Sequence, residues 1–92
     1  MGAKGEINWK RRDEYGERLE CYARNERNVW KFFRRERRFE RWEVYPEPAL
    51  EDWLELLDGV RRRIPRRKME PADENRLVRT IKEKFPDQKD RL

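Results

Sequence analysis

Apolar residues change their repeat halfway along the chain. Over residues 6–45 they recur at every second position, the repeat of a strand with one buried face, and from residue 48 they recur every three or four, the repeat of an amphipathic helix. The alternation predicts four strands, over 7–13, 17–24, 29–34 and 39–45. Short connections separate them: Glu14-Tyr15-Gly16, a stretch bounded by Asn25 and Asn28, and Arg35-Glu36-Arg37. A three-residue loop ending in Gly16 suits a hairpin whose glycine takes the left-handed conformation. Asparagine is comfortable in the second turn, whereas the third contains no glycine.

Register follows from asking which pairing gathers the apolar residues on one face. Centring the first loop on Tyr15 sets Trp9 opposite Cys21 and Ile7 opposite Ala23. Placing Glu26 and Arg27 in the second turn sets Ala23 opposite Trp30 and Cys21 opposite Phe32. Centring the third on Glu36 sets Trp30 opposite Trp42 and Asn28 opposite Val44. One face of a four-stranded antiparallel meander then carries Ile7, Trp9, Leu19, Cys21, Ala23, Trp30, Phe32, Trp42 and Val44.

Two helices are expected next, over 48–64 and 71–85. Pro48 starts the first, Glu51 and Asp52 lie in its first turn, and Arg61, Arg62 and Arg63 in its last, each sign matching the helix dipole. Its apolar stripe is Leu50, Trp53, Leu54, Leu57, Val60, the stem of Arg61, and Ile64. The second begins at Pro71 with the stripe Leu77, Ile81 and Phe85, which Val78 can join, and ends before Pro86. The expected fold is α+β: a two-layer ββββαα domain in which both helices cover the apolar sheet face, with residues 1–5 and 87–92 frayed. A chain of 92 residues makes one such domain.

Composition narrows the chemistry. Charged residues are 49% of the chain and there is no histidine or serine, one threonine (Thr80) and one cysteine (Cys21). Ser-His-Asp and Cys-His arrangements cannot be assembled, a zinc site lacks ligands, and an internal disulfide is impossible. Cys21 reads as a small core residue. The 20 acidic residues alternate with Arg and Lys as on a solvated surface, and the four glycines form no phosphate-cradling loop. We therefore expect no enzyme, no cofactor and no metal. No apolar run is long enough for a membrane span or a signal-peptide core, and Glu6 stands where a myristoylation signal prefers Ser or Thr, so a cytoplasmic protein without a membrane partner is expected.

The register that gathers the core also defines the opposite sheet face. It carries Lys10, Arg12, Arg18, Tyr22, Arg24, Lys31, Phe33, Arg35, Phe39 and Arg41, with Glu14, Glu20 and Glu43 among them. Aromatic rings among cations are what single-strand binders use: rings stack on bases while Arg and Lys hold phosphates. A plainer reading has Phe33 and Phe39 pair across strands to stabilise the sheet. A second concentration of charge is Arg61, Arg62, Arg63, Arg66, Arg67 and Lys68, which suits phosphate contacts and equally suits a helix end followed by a solvated loop. The sequence thus points to a non-enzymatic binding module for RNA or single-stranded DNA. The alternative is a small protein–protein interaction or accessory subunit, with another protein or a second copy as partner.

Overall fold

The computed structural model describes residues 5–36 and 40–92, which form four strands and two helices in the expected order. Strands β1 (Glu6–Arg12), β2 (Arg18–Glu26), β3 (Val29–Arg35) and β4 (Glu43–Val44) make one antiparallel sheet in sequence order. Helices α1 (Leu50–Arg63) and α2 (Pro71–Lys84) follow, and a 3₁₀ segment, Pro86–Arg91, comes after them. The chain divides into two compact units: residues up to Pro48 hold the sheet and residues from Ala49 hold the helices.

The first hairpin has the expected register, with Ile7 opposite Ala23, Trp9 opposite Cys21 and Arg12 opposite Arg18. Its loop is fastened from within. Asp13 Oδ1 accepts the N–H groups of both Tyr15 and Glu17 at 2.9 Å, and Gly16 takes a φ of +80° that a side chain would resist.

The second hairpin is displaced by two residues from the expected pairing. Asn25, not Ala23, lies opposite Trp30, and Ala23, not Cys21, lies opposite Phe32. The turn residues are Arg27 and Asn28, with φ of 54° and 67°, so both take the left-handed conformation that a two-residue type I′ turn demands. Asn25 secures it, its Oδ1 accepting the Asn28 N–H at 3.0 Å. A shift of two residues preserves the side to which every side chain points. Ile7, Trp9, Leu19, Cys21, Ala23 and Phe32 are accordingly buried together, and Trp30 half-buried.

The third pairing is corrected more deeply. Phe33 lies opposite Val44 and Arg34 opposite Glu43, a displacement by an odd number of residues, which inverts β4. Trp42 and Val44 therefore leave the expected core and stand on the open face, 36% and 69% exposed. Tyr45 takes the inward position instead. It is buried, and its N–H bonds to the Phe32 carbonyl at 2.9 Å. Its ring meets Phe32 edge-on at 6.5 Å, and the Arg34 guanidinium lies 4.7 Å from its centroid. The fourth strand is also shorter than the expected 39–45. Glu40, Arg41 and Trp42 lie outside it, and Phe39 lies outside the described residues.

In the helical unit, α1 begins two residues after Pro48 because Ala49 is still extended, with ψ of 157°, and its carbonyl accepts the N–H groups of Asp52 and Trp53. Leu50, Trp53, Leu57 and Val60 are buried as expected. Leu56, absent from the expected stripe, is fully buried, while Leu54 and Ile64 are only half-buried and Arg61 is exposed. Arg61 instead reaches α2, its Nε bonding Glu74 Oε2 at 2.8 Å. Helix α2 starts with a reciprocal cap: the Glu70 side chain accepts from the backbone of Asp73, and Asp73 Oδ2 accepts the Glu70 N–H at 2.8 Å. Leu77 and Ile81 are its buried residues. No helix among the described residues is long and apolar enough to cross a membrane.

The burial pattern sets an outcome for truncation. Leu56→Ala should cost about 2–5 kcal/mol, as cavity-forming core truncations do, and Leu54→Ala distinctly less. Urea denaturation followed by circular dichroism checks it, and equal costs would mean that the helix face is turned.

Candidate functional site

The open sheet face is assembled by the cross-strand ladder. Lys10 lies opposite Glu20, Arg12 opposite Arg18, Tyr22 opposite Phe33, Arg24 opposite Lys31 and Glu20 opposite Arg35, so eight of the residues expected on this face share it. Phe39 lies outside the described residues. Arg41 falls in the coil before β4, exposed and outside the strand ladder, because the sheet resumes only at Glu43. Trp42 is the residue that sequence reasoning placed on the wrong side. The signal that could have placed it is Tyr45, whose inward position requires Trp42 and Val44 to point outward.

Three rings form one cluster. Tyr22 and Phe33 stack across β2 and β3 with centroids 4.7 Å apart and planes 18° from parallel, and Trp42 meets Tyr22 at 4.7 Å and 85°. Offset-stacked and edge-to-face geometries are the favourable ones for aromatic quadrupoles. Arginines cover part of the cluster: the guanidinium of Arg35 lies 4.2 Å from the Trp42 centroid and that of Arg24 lies 5.4 Å from Phe33. Cross-strand aromatic pairing is thus realised, with Tyr22 as the partner of Phe33.

The cations of this face fall into two groups. Arg24 and Lys31 share Glu26, at 3.0 and 3.2 Å, and Arg35 holds Glu20 at 3.4 Å. The hydrogen bond from Lys31, with the charges of Lys31 and Arg24, keeps the Glu26 carboxyl below its ordinary pKa against the opposing effect of desolvation. Its contribution to stability is therefore present above the unfolded pKa and fades as pH falls through the lowered folded value. The other group is Lys10, Arg12 and Arg18, which have no carboxylate partner among the described residues. Arg12 donates to the Gly16 carbonyl at 2.9 Å, and Arg18 faces it directly across the ladder. Like charges so placed oppose folding, and an anion between them would reverse the sign.

The second cationic group belongs to the helical unit. Arg61 and Arg62 are neutralised, by Glu74 at 2.8 Å and Asp58 at 3.3 Å, and Arg63 donates to the Gly59 carbonyl at 3.0 Å. Arg66, Arg67 and Lys68 have no ion pair among the described residues. Two bonds close the chain behind α1: Lys68 N–H to the Arg63 carbonyl at 3.1 Å and Arg67 N–H to the Ile64 carbonyl at 2.9 Å. That is the bond pair of a Schellman turn, and it places Arg67 at the left-handed position, with φ of 60°, where glycine is usual. Arg62, Arg63, Arg66 and Lys68 line a concavity of about 270 Å³ here. Among the described residues no group of three or more His, Cys, Asp or Glu could hold a metal ion.

Because Arg67 occupies that position at a cost, Arg67→Gly should raise stability by about 1 kcal/mol, whereas Arg67→Ala, which removes the same charge but keeps a Cβ, should not. The two variants' melting temperatures, compared with that of the parent, check it; an equal rise in both would assign the effect to charge.

Comparison of the chain with protein-family models, with curated proteins and with solved structures finds no match, so function is argued from the chemistry of these two surfaces.

Proposed function

We propose that the protein is a non-enzymatic, cytoplasmic module that binds single-stranded nucleic acid on the open face of its sheet. The observation that carries this reading is the trio Lys10, Arg12 and Arg18. They are three cations without carboxylate partners among the described residues, two of them directly opposed, on the same face as a cluster of three rings. Phosphates would occupy the cationic end of the face and a base would stack at the aromatic end, where Trp42 keeps 36% exposure. The cations of the 61–68 segment, in the helical unit, would by themselves offer a second phosphate-contacting surface. Arginine and lysine so used set affinity and its dependence on salt but carry no sequence information.

A second reading, a homodimer, is favoured by one specific observation. Strand β1 is an edge of the sheet, and antiparallel pairing with a second copy about Trp9 would set Glu6 against Arg12 at both ends. Sedimentation over a concentration series tests it, and a monomer at every concentration would end it.

The nucleic-acid reading is tested by titrating labelled single- and double-stranded oligonucleotides at about 50 mM salt, where an unspecialised basic protein reaches a Kd of only about 10⁻⁴–10⁻⁶ M. We expect tighter binding than that to single strands. Trp42→Ala should weaken it by about 1–3 kcal/mol, as removing the ring beneath one stacked base does. Substituting Arg12 and Arg18 with Gln should instead flatten the plot of log K against log salt, by about 0.7 for each phosphate no longer held. Binding within the non-specific range and indifferent to both changes would leave the face as ordinary surface.

A further inference from the structure

We propose that the groove in the open sheet face is a guanine-binding site, which rests on the reading of this face as a nucleic-acid surface and gives it a base specificity. The groove, of about 370 Å³, is lined on this face by Glu6, Asn8, Lys10, Glu20, Tyr22 and Trp42. Its size is in the range of small-ligand sites, and its walls combine rings with a few convergent polar groups.

The polar groups decide which base fits. Lys10 and Glu20 are directly opposed across β1 and β2, yet they form no ion pair with each other. Glu20 is bonded elsewhere: its Oε1 accepts from Arg35 at 3.4 Å, its side chain is only 14% exposed, and its Oε2 has no bonded partner among the described residues. Its free oxygen opens to solvent at the groove, where it can accept N–H donors from a ligand. Beside it stands an ammonium with no carboxylate of its own. An ammonium donor next to a carboxylate acceptor complements the Watson–Crick edge of guanine, where O6 accepts and N1–H and N2–H₂ donate. Uracil flanks a single N–H with two carbonyls, and adenine and cytosine each set a ring-nitrogen acceptor beside their amine. Each of these would turn a lone pair toward the carboxylate. Guanine alone offers it two adjacent N–H groups.

Arg35 makes the site rigid. The same guanidinium that holds Glu20 covers Trp42 at 4.2 Å, so the acceptor and the aromatic wall are positioned by one side chain. Bases splayed from a single strand are read in this way, by hydrogen bonds to the Watson–Crick edge beside an aromatic contact.

The test uses the whole chain and short labelled uridine oligomers carrying one central guanine, adenine, cytosine or inosine. Guanine should tighten binding about tenfold over the all-uridine strand, the range of a good bidentate contact. Inosine, which lacks the 2-amino group, should lose most of that gain. Glu20→Gln should abolish the difference between guanine and uridine strands while the uridine strand still binds. If that variant fails to fold, Lys10→Met, at an exposed side chain, should reduce the ratio in the same direction. Equal affinity for all strands, or a preference for another base, would overturn the guanine site and leave the strand-binding reading standing. Failure of every strand to bind would overturn both.

Discussion

Because side chains alternate along a strand, the pairing of β2 with β3 decides what this protein hides and what it displays. Ala23 against Phe32 and Tyr22 against Phe33 are neighbouring rungs of one ladder. The first rung belongs to the buried side and the second to the open side. A slip of one residue would turn one strand over against the other, parting Tyr22 from Phe33 and, if β2 turned, leaving Cys21 and Ala23 in solvent. The type I′ turn at Arg27 and Asn28 holds the ladder in place with two left-handed residues, neither of them glycine. Their strain persists because burial of Ile7, Trp9, Leu19 and Phe32 depends on the register they set.

How much of this was legible in the sequence depended on the parity of each error. The first hairpin could be read outright, since Gly16 and the apolar pair Trp9 and Cys21 agree on one centre. The second was misread by two residues at no cost to the faces, because an even slip returns each side chain to the side where it began. The third was misread by an odd number, and both Trp42 and Val44 changed sides. Nothing local forbade the error: Trp42 and Val44 form as good an apolar alternation as any in the chain. The inward ring in that strand is Tyr45, a single residue whose contacts with Phe32 and Arg34 are long-range and invisible to periodicity. On α1 the lesson is similar. Leu54, Leu56 and Leu57 all fit a helical stripe, and only packing selects Leu56 and Leu57. On the open face the residue types were legible, whereas the division of cations into neutralised and unneutralised was not, since it depends on which carboxylate each guanidinium can reach.

That division is the electrostatic character of the sheet unit. Arg24, Lys31 and Arg35 are spent on Glu26 and Glu20, and two of them also lie over rings. These pairs are partly exposed and contribute little to stability individually. Their effect is positional: they fix the rings and concentrate the remaining positive charge at the β1–β2 end of the face.

Cys21 lies at 1% exposure on β2, which is paired on both sides, and it is the chain's single sulfhydryl. A thiol must meet its reagent as thiolate, so alkylation in the native state waits for an opening that uncovers the buried face of β2. Its reaction rate, set against that of an unstructured cysteine peptide, measures how often that face is uncovered. The protein therefore carries its own gauge of core exposure, at a position where no engineered label is needed.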